Sequence, residues 1–213
     1  MRTTVLLASL LAATPALAQQ APPPDDLCLA LLEPLAKVEP ATSPETDDAD
    51  CRISTPVKVE AVKVGSSQVA LSGAPVLDCP FALALANWTR KVAVPLARGE
   101  LGRELVELGT GNGFQCRRRN RSKTGKLSEH AFGNAIDIVA FRFKDERFDV
   151  EPYEDMEADE AGYLDAVRKS ACGYFNTILG PGSNAAHDDH LHFDLGRGFK
   201  NGEKRDNPYR ICE

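Results

Sequence analysis

The chain has 213 residues, of which 43% are hydrophobic and 26% are charged. This length allows one domain with a sizeable core and is short for two full domains. The formal net charge of -6 argues against a nucleic acid as partner, and we interpret the basic cluster RRRNR at 117–121 as mostly a solvated loop.

The first 18 residues predict a secretory signal peptide. Arg2 precedes the apolar run VLLASLLAA, and the small-residue pattern that follows predicts cleavage after Ala18. A membrane anchor would need about 20 apolar residues, and Pro15 interrupts this run too early. We therefore expect an exported, periplasmic protein with no stable membrane insertion after cleavage.

Six cysteines follow the predicted cleavage site, and none forms a C-x-x-C pair. An even number of widely spaced cysteines in an exported chain favours three disulfides over free thiols or a cysteine zinc site. Because short loops close most easily, we expect neighbours to pair: Cys28 with Cys51, Cys79 with Cys116, and Cys172 with Cys212.

The hydrophobic pattern predicts three segments in chain order: a signal at 1–18, a leader at 19–50, and the main domain at 51–213. In the leader we expect a short amphipathic helix at Leu27–Lys37 and then a linker. In the main domain, alternation and helix-start signals predict strands at 57–64, 104–110, 135–141 and around 189–195, and helices from Asp78 toward Pro95 and at Ala158–Phe175. Without regular βαβ alternation, this pattern predicts an α+β fold with a small antiparallel sheet flanked by helices.

All four histidines fall in two short stretches, SEHAFGNAID at 128–137 and HDDHLHFD at 187–194. Residues two apart on a strand share a face, so His190, His192 and Asp194 can point the same way. With a His and an Asp from the first stretch they form a nitrogen and oxygen ligand set that suits zinc. A single H-x-H on a strand is more often a hydrogen-bonded pair than a metal site. The prediction of a metal site therefore depends on the clustering of all four histidines in these two stretches.

These stretches also carry a family resemblance. The pattern S-x-H-x-x-G-x-A-x-D followed by a late H-x-H resembles the LAS group of zinc peptidases, which includes D-alanyl-D-alanine carboxypeptidases, the penicillin-insensitive murein endopeptidase and the hedgehog signalling domain. More closely, CRRRNRSKTGKLSEHAFGNAIDI and ACGYFNTILGPGSNAAHDDHLHFDL resemble the bacterial extensin-like C-terminal domain family over residues 51–213. The resemblance implies a single domain of the LAS type.

The resemblance also implies one zinc ion per chain, with His130, Asp137 and His192 as its ligands. It further implies that His190 assists catalysis. Several carboxypeptidases of the group have a glutamate where this chain has Asp189, whereas the endopeptidase has the spacing H-x-x-H-x-H, which begins here at His187. Strand alternation sends Asp189 to the face opposite His192, which favours a histidine as the proton carrier. The general base stays open among His187, Asp189 and His190.

Two further residues are candidates for substrate contacts. Many relatives have an arginine in a comparable upstream segment that contacts the substrate or its developing oxyanion, which makes Arg117 a candidate for both roles. Ser128 can hydrogen-bond to substrate or stabilise its own turn. We expect small residues at Gly133 and Ala135 to let the chain approach the metal loop closely.

The implied activity is that of a periplasmic zinc metallopeptidase that acts on peptidoglycan stem peptides and cleaves their cross-links as an endopeptidase. The near alternative is a D,D-carboxypeptidase that trims stem peptides. Three other classes remain open: a zinc-containing domain that binds wall peptides without turnover, a non-peptidase zinc hydrolase, and a structural protein held by disulfides. Whether a protein activator is needed is not indicated by the sequence.

Overall fold

A computed structural model describes residues 24–111, 113–196, 199–200, 203–204 and 211–212. The predicted signal peptide lies outside the described residues. The helices are α1 (Pro24–Leu32), α2 (Cys79–Trp88), α3 (Val94–Glu100) and α4 (Ala158–Ala171). A single turn of π-helix, Thr89–Ala93, joins α2 to α3. No helix in the described part of the chain is long and apolar enough to cross a membrane.

Twelve strands lie within the described ranges: β1 (Ala36–Pro40), β2 (Pro56–Val64), β3 (Ser67–Leu71), β4 (Val76–Asp78), β5 (Leu105–Thr110), β6 (Ala135–Phe143), β7 (Arg147–Asp149), β8 (Thr177–Leu179), β9 (Leu191–Asp194), β10 (Phe199–Lys200), β11 (Glu203–Lys204) and β12 (Ile211–Cys212). Ten of them form one sheet with the order β1-β2-β3-β5-β6-β9-β8-β12, in which β4 also pairs with β2 and β7 with β6. Strands β10 and β11 form a separate pair.

The sequence prediction of an α+β fold is confirmed, but the prediction of a small antiparallel sheet is wrong. The sheet has ten strands and is mixed, because β3 pairs with β5, and β8 with β12, in parallel. The strands that the sequence analysis overlooked are mostly two to five residues long. Such short segments show too little alternation to predict a strand, and their pairing depends on the tertiary fold.

The N-terminal segment also differs from its prediction. The helix ends at Leu32 rather than Lys37, because Pro34 follows and cannot donate a helical hydrogen bond. The chain then enters β1, which lies before the predicted domain start at residue 51 and pairs with β2 inside the large sheet.

All six cysteines form disulfides, as the sequence predicted, but two of the three expected pairings are wrong. Cys172 pairs with Cys212 as expected, whereas the other bonds join Cys28 to Cys79 and Cys51 to Cys116. Loop length alone did not identify the partners, because helix α1 packs on α2 and brings together residues 51 positions apart.

An aromatic cluster forms the core beneath β9. Phe193 stacks on Phe175 with ring centroids 4.8 Å apart and meets the edge of Trp88 at 5.1 Å. All three rings are buried. Because side chains alternate along a strand, the neighbours His192 and Asp194 project from the face of β9 opposite Phe193.

Candidate metal centre

Strands β6 and β9 place two of the predicted ligands side by side. Asp137 and His192 are paired residues in the antiparallel ladder between these strands. Each lies between buried apolar neighbours that pack into the core, Ile136 and Ile138 around Asp137 and Leu191 and Phe193 around His192. The same alternation that buries these neighbours therefore turns both polar side chains to the other face of the sheet.

The third ligand comes from a tight turn that precedes β6. A short 3-10 helix, Glu129–Phe132, ends at Gly133, whose φ of 62° is left-handed. The carbonyl of Gly133 accepts a hydrogen bond from the backbone N–H of Asp78 at 2.8 Å, and a Cβ at this glycine would lie 2.9 Å from that nitrogen. Glycine is needed here both for its conformation and for the close approach, and the turn holds His130 at 1% exposure.

Three side-chain atoms converge at this point. The Nε2 atom of His130 lies 3.1 Å from Asp137 Oδ1 and 3.2 Å from His192 Nδ1. The same Asp137 oxygen lies 2.9 Å from His192 Nδ1. The structure thus brings together the three residues that the sequence singled out as metal ligands.

The outer nitrogens of both rings have acceptor partners. His130 Nδ1 faces the carbonyl oxygen of Gly113 at 3.3 Å, and His192 Nε2 faces Asp194 Oδ2 at 3.0 Å. A carbonyl or an ionised carboxylate can only accept, so each outer nitrogen carries a proton and donates it. In the neutral rings the inner nitrogens then bear lone pairs. Lone pairs and a carboxylate this close repel one another unless a positive charge lies among them.

The pKa values of Asp137 and His192 in the metal-free cluster also indicate that positive charge stabilises the cluster. Burial lowers the pKa of His192, but its hydrogen bonds with Asp137 and Asp194 outweigh burial and raise that pKa to about 9. Burial raises the pKa of Asp137, but its contacts with His130 and His192 hold it well below its usual value. A proton on His192 is one way to supply the charge, and a metal ion is the other.

The donor set fits zinc. A tetrahedral zinc ion with bonds of about 2.1 Å holds its ligand atoms about 3.4 Å apart, and the three separations between donor atoms approach that value. Two imidazole nitrogens and one carboxylate oxygen are ligands that zinc prefers. The Asp137 side chain is 21% exposed, so one side of the cluster is open to solvent, as in catalytic rather than structural zinc sites.

His190 lies at the edge of this cluster and has an oriented ring. Its Nδ1 atom lies 2.7 Å from Asp189 Oδ1, and its Nε2 atom lies 3.7 Å from Asp137 Oδ1. Donation from Nδ1 to the carboxylate leaves Nε2 directed at the cluster. The Asp189 side chain is 88% exposed and contacts the outer nitrogen of His190.

His187 completes a group of histidines on the open side. Its ring lies 5.1 Å from that of His190 and 5.8 Å from that of His192, measured between centroids. Its Nδ1 atom lies 2.8 Å from Asn184 Oδ1. Burial, together with the positive charges of the neighbouring histidines, lowers the pKa of His187 to about 4. The ring is therefore neutral at pH 7.

Arg117 is half-buried beside the cluster, whereas Ser128 lies at the start of the turn. The guanidinium of Arg117 donates from Nε to Gln115 Oε1 at 2.7 Å and lies close enough to Asp137 for their charges to interact. Ser128 is buried and occupies the N-cap position of the 3-10 helix without a side-chain capping bond. Its backbone N–H donates to the carbonyl of Arg117 at 2.9 Å.

Two supporting contacts were missed by the sequence analysis. The carbonyl of Gly113 orients His130, and a backbone acceptor has no sequence signal. Gln115 holds Arg117, and its backbone N–H also donates to the carbonyl of His130 at 3.1 Å. In the sequence, the contact between Gln115 and Arg117 is indicated only by the position of a polar residue two places before the candidate arginine.

A second group of potential ligand atoms among the described residues consists of Asp48, Cys51 and Cys116. Its two cysteines are joined to each other in a disulfide. Oxidised sulfurs cannot act as thiolate ligands, which leaves the cluster of His130, Asp137 and His192 as the metal candidate.

The comparison with protein families agrees with the closer of the two resemblances. The family model described as "Extensin-like protein C-terminus" matches residues 26–212. No curated protein and no solved structure matches the chain. Since the match covers most of the chain and includes every residue of the candidate metal centre, the chain belongs to the extensin-like C-terminal family.

Proposed function

We propose that the protein is a periplasmic zinc-dependent peptidase that cleaves the peptide cross-links of peptidoglycan. The observation that carries the proposal is the convergence of His130 Nε2, Asp137 Oδ1 and His192 Nδ1 with both outer nitrogens held by acceptors. When bound there, zinc supplies a Lewis acid that polarises the scissile carbonyl and makes water nucleophilic near neutral pH.

His190 is the best-placed proton carrier in this proposal. In the neutral ring with Nδ1 protonated, its Nε2 atom bears the lone pair and faces the cluster, while Asp189 holds the opposite nitrogen. It takes a proton from the attacking water and returns it to the leaving amine, so that water is added across the C–N bond. His187 lies beside it and is the alternative carrier. Asp189 is a positioning residue, because its carboxylate contacts His190 rather than the cluster.

Arg117 is placed to bind the substrate. Its guanidinium is half-buried, keeps its charge, and lies between the metal cluster and the surface. A cation in this position stabilises negative charge that develops on a carbonyl oxygen. Ser128 belongs to the same segment, but its backbone already supports the turn through Arg117, so we assign it a structural role first.

The substrate class rests on the motif resemblance together with the arrangement of the histidines. His187, His190 and His192 reproduce the H-x-x-H-x-H spacing of the murein endopeptidase, and their rings lie together at the cluster. Three disulfides suit an oxidising compartment such as the periplasm. D,D-carboxypeptidase activity is the second candidate, because Arg117 could bind the terminal carboxylate of a stem peptide.

The test is digestion of purified muropeptides by the zinc-loaded mature protein, with products read by mass spectrometry. Conversion of cross-linked dimers to monomers supports the endopeptidase, and loss of a terminal alanine from monomers indicates the carboxypeptidase. His190→Ala is the matched control that should keep the metal and lose turnover. Muropeptide binding without any product, by protein carrying one zinc per chain, would instead identify a binding domain.

A further inference from the structure

A cleft in the described part of the chain is lined in part by Arg117, whose charge interacts with the metal ligand Asp137. Its volume is about 430 Å³, and it is lined by residues of two chain segments, Thr46, Asp47 and Asp48 from one and Arg117, Arg118 and Leu127 from the other. Arg117 connects the cleft with the cluster, since it lines the cleft and its charge also acts on Asp137 and His187. A peptide bound at the cluster can therefore extend into this cleft.

The walls of the cleft carry opposite charges that are not used in ion pairs. Asp47 and Asp48 are on one wall and Arg117 and Arg118 on the other. Within the described ranges these four residues make no salt bridge; Asp48 Oδ1 accepts the backbone N–H of Asp50 at 3.0 Å, and Arg118 Nη1 donates to the carbonyl of Gly125 at 2.5 Å. Each wall thus keeps a charge available to a ligand.

The two walls are tied together before any ligand arrives. The disulfide between Cys51 and Cys116 joins the segment that carries the aspartates to the segment that carries the arginines. The backbone N–H of Cys51 donates to the carbonyl of Asp48 at 2.9 Å, and Ser43 Oγ accepts the N–H of Ile53 at 2.9 Å. A site whose walls are already fixed loses little conformational entropy when it binds a ligand.

A ligand of one sign would be attracted by one wall and repelled by the other, and an uncharged ligand would desolvate the charges without compensation. We propose that this cleft binds a zwitterionic side chain of the peptide substrate, with its ammonium group at Asp47 and Asp48 and its carboxylate at Arg118. A peptide residue meets this requirement when it is a diamino dicarboxylic acid linked through one end only. This inference rests on the proposed peptidase function, because it assigns the substrate of that same site.

The test uses four synthetic stem peptides that differ at a single side chain. This side chain carries both an ammonium and a carboxylate, only the ammonium, only the carboxylate, or neither. Affinities for the zinc-loaded protein are measured by calorimetry, and turnover is followed in parallel. We expect the zwitterionic peptide to bind about tenfold more tightly than either singly charged peptide, which is the range of one charge-assisted hydrogen bond.

Substitutions in each wall test whether the cleft causes the preference for the zwitterionic peptide. The double substitution Asp47→Asn/Asp48→Asn should weaken binding of the zwitterionic peptide about tenfold, and it should not weaken the carboxylate-only peptide, because it removes two charges that repel that peptide. Glu45→Gln, an exposed acidic residue of the same segment that does not line the cleft, is the matched control. Arg118→Gln should weaken both peptides that carry the carboxylate, with exposed Lys123→Gln as its control.

The outcomes separate this inference from the proposed function. Cleavage of all four peptides with equal kcat/KM would overturn the inference and leave the peptidase. Preference for the zwitterionic peptide in binding without any turnover would keep the inference and remove the peptidase. Absence of measurable binding of the zwitterionic peptide, or equal weakening of all four peptides by the aspartate variant, would overturn the assignment of the cleft.

Discussion

Asp137 and His192 face each other across the ladder between β6 and β9, with Asp137 Oδ1 2.9 Å from His192 Nδ1. Neighbouring strands hold their paired side chains at a spacing set by backbone hydrogen bonds. The two ligands are therefore held on a rigid part of the fold, while the third, His130, is held by the turn that ends at Gly133. A site built on such elements is preorganised for its ligand.

The first prediction separates ligand from helper within the H-x-H pair. The wild-type protein should carry about one zinc ion per chain. His192→Ala leaves two protein ligands, so metal and activity should be lost together. His190→Ala should keep nearly one zinc and lose about 10²- to 10⁴-fold in turnover, the usual contribution of a proton carrier. Metal analysis and muropeptide turnover measure the two quantities.

Both variants must first be shown to be folded and oxidised, by circular dichroism and by alkylation of the denatured protein. Zinc loss in His190→Ala with zinc retention in His192→Ala would reverse the assignment. Full turnover in both variants would refute the catalytic interpretation of the cluster.

The second prediction concerns the pH dependence of zinc binding. In metal-free protein the pKa of His192 is raised to about 9, so at neutral pH a proton competes with zinc for its inner nitrogen. Zinc affinity should therefore rise with pH up to about 9 and level off above it. Calorimetry in two buffers with different heats of ionisation should show release of about one proton per zinc at pH 7.5. Equal affinity at pH 7 and pH 9 would contradict the raised pKa.

Strands β2, β5, β6 and β9 could be predicted from the sequence, because apolar residues alternate there over four or more positions or sit beside a distinctive motif. Strands β7, β8 and β12 could not be predicted, since segments of two or three residues become strands only when a neighbour pairs with them. The parallel direction of the pairing between β3 and β5 could not be predicted from a local pattern either, because it depends on the path of the chain between the two strands.

The candidate metal ligands were predicted from the sequence more accurately than the sheet was. The motif singled out His130, Asp137 and His192, and these residues converge. Asp189 was a candidate base because several carboxypeptidases of the group that the sequence resembles have a glutamate at that position. The structure places its carboxylate on the outer nitrogen of His190. That relationship depends on how the loop before β9 turns, which the residue types do not determine.

The third prediction compares two carboxylates that hold histidine rings. Asp194 contacts the outer nitrogen of the ligand His192, and Asp189 contacts the outer nitrogen of His190. Asp194→Asn should lower zinc affinity by about 10- to 100-fold, as expected for a residue that orients a metal ligand. Asp189→Asn should leave zinc affinity unchanged and lower turnover by less than His190→Ala does, because its carboxylate is largely exposed. Reduced zinc affinity in Asp189→Asn would show that it orients the metal site as well.

The fourth prediction concerns Arg168, a buried arginine on α4. Its guanidinium donates to the carbonyl of Pro181 and to Ser183 Oγ, both at 2.6 Å, and so holds the loop that leads to His187. Arg168→Met leaves the buried carbonyl of Pro181 without this donor, which should cost about 1–3 kcal/mol of stability, partly offset because a buried charge is removed; Ser183 Oγ keeps the backbone N–H of Gly180. Turnover should also fall, because the loop that carries the histidines is less well held.

Hydrogen exchange across residues 180–190 and urea unfolding measure these two effects. Arg168→Lys is the informative control, since it keeps the charge but cannot reproduce the two-sided contact of the guanidinium. Unchanged exchange in the loop of a destabilised Arg168→Met protein would show that Arg168 supports the core and not the site.

The last prediction concerns the disulfide between Cys51 and Cys116, which ties the walls of the charged cleft. The double variant Cys51→Ala/Cys116→Ala should lose about 2–4 kcal/mol of stability, because the bond closes a long loop in the unfolded chain. Zinc should remain bound, since its ligands lie on β6, β9 and the turn at 129–132, whereas affinity for the zwitterionic peptide should fall because the walls are no longer held together. The variant Cys172→Ala/Cys212→Ala should lose stability through the same entropic effect without weakening that peptide, since its bond lies outside the cleft. Urea unfolding, metal analysis and calorimetry provide the three measurements, and equal peptide affinity in the two double variants would show that the disulfide does not shape the cleft.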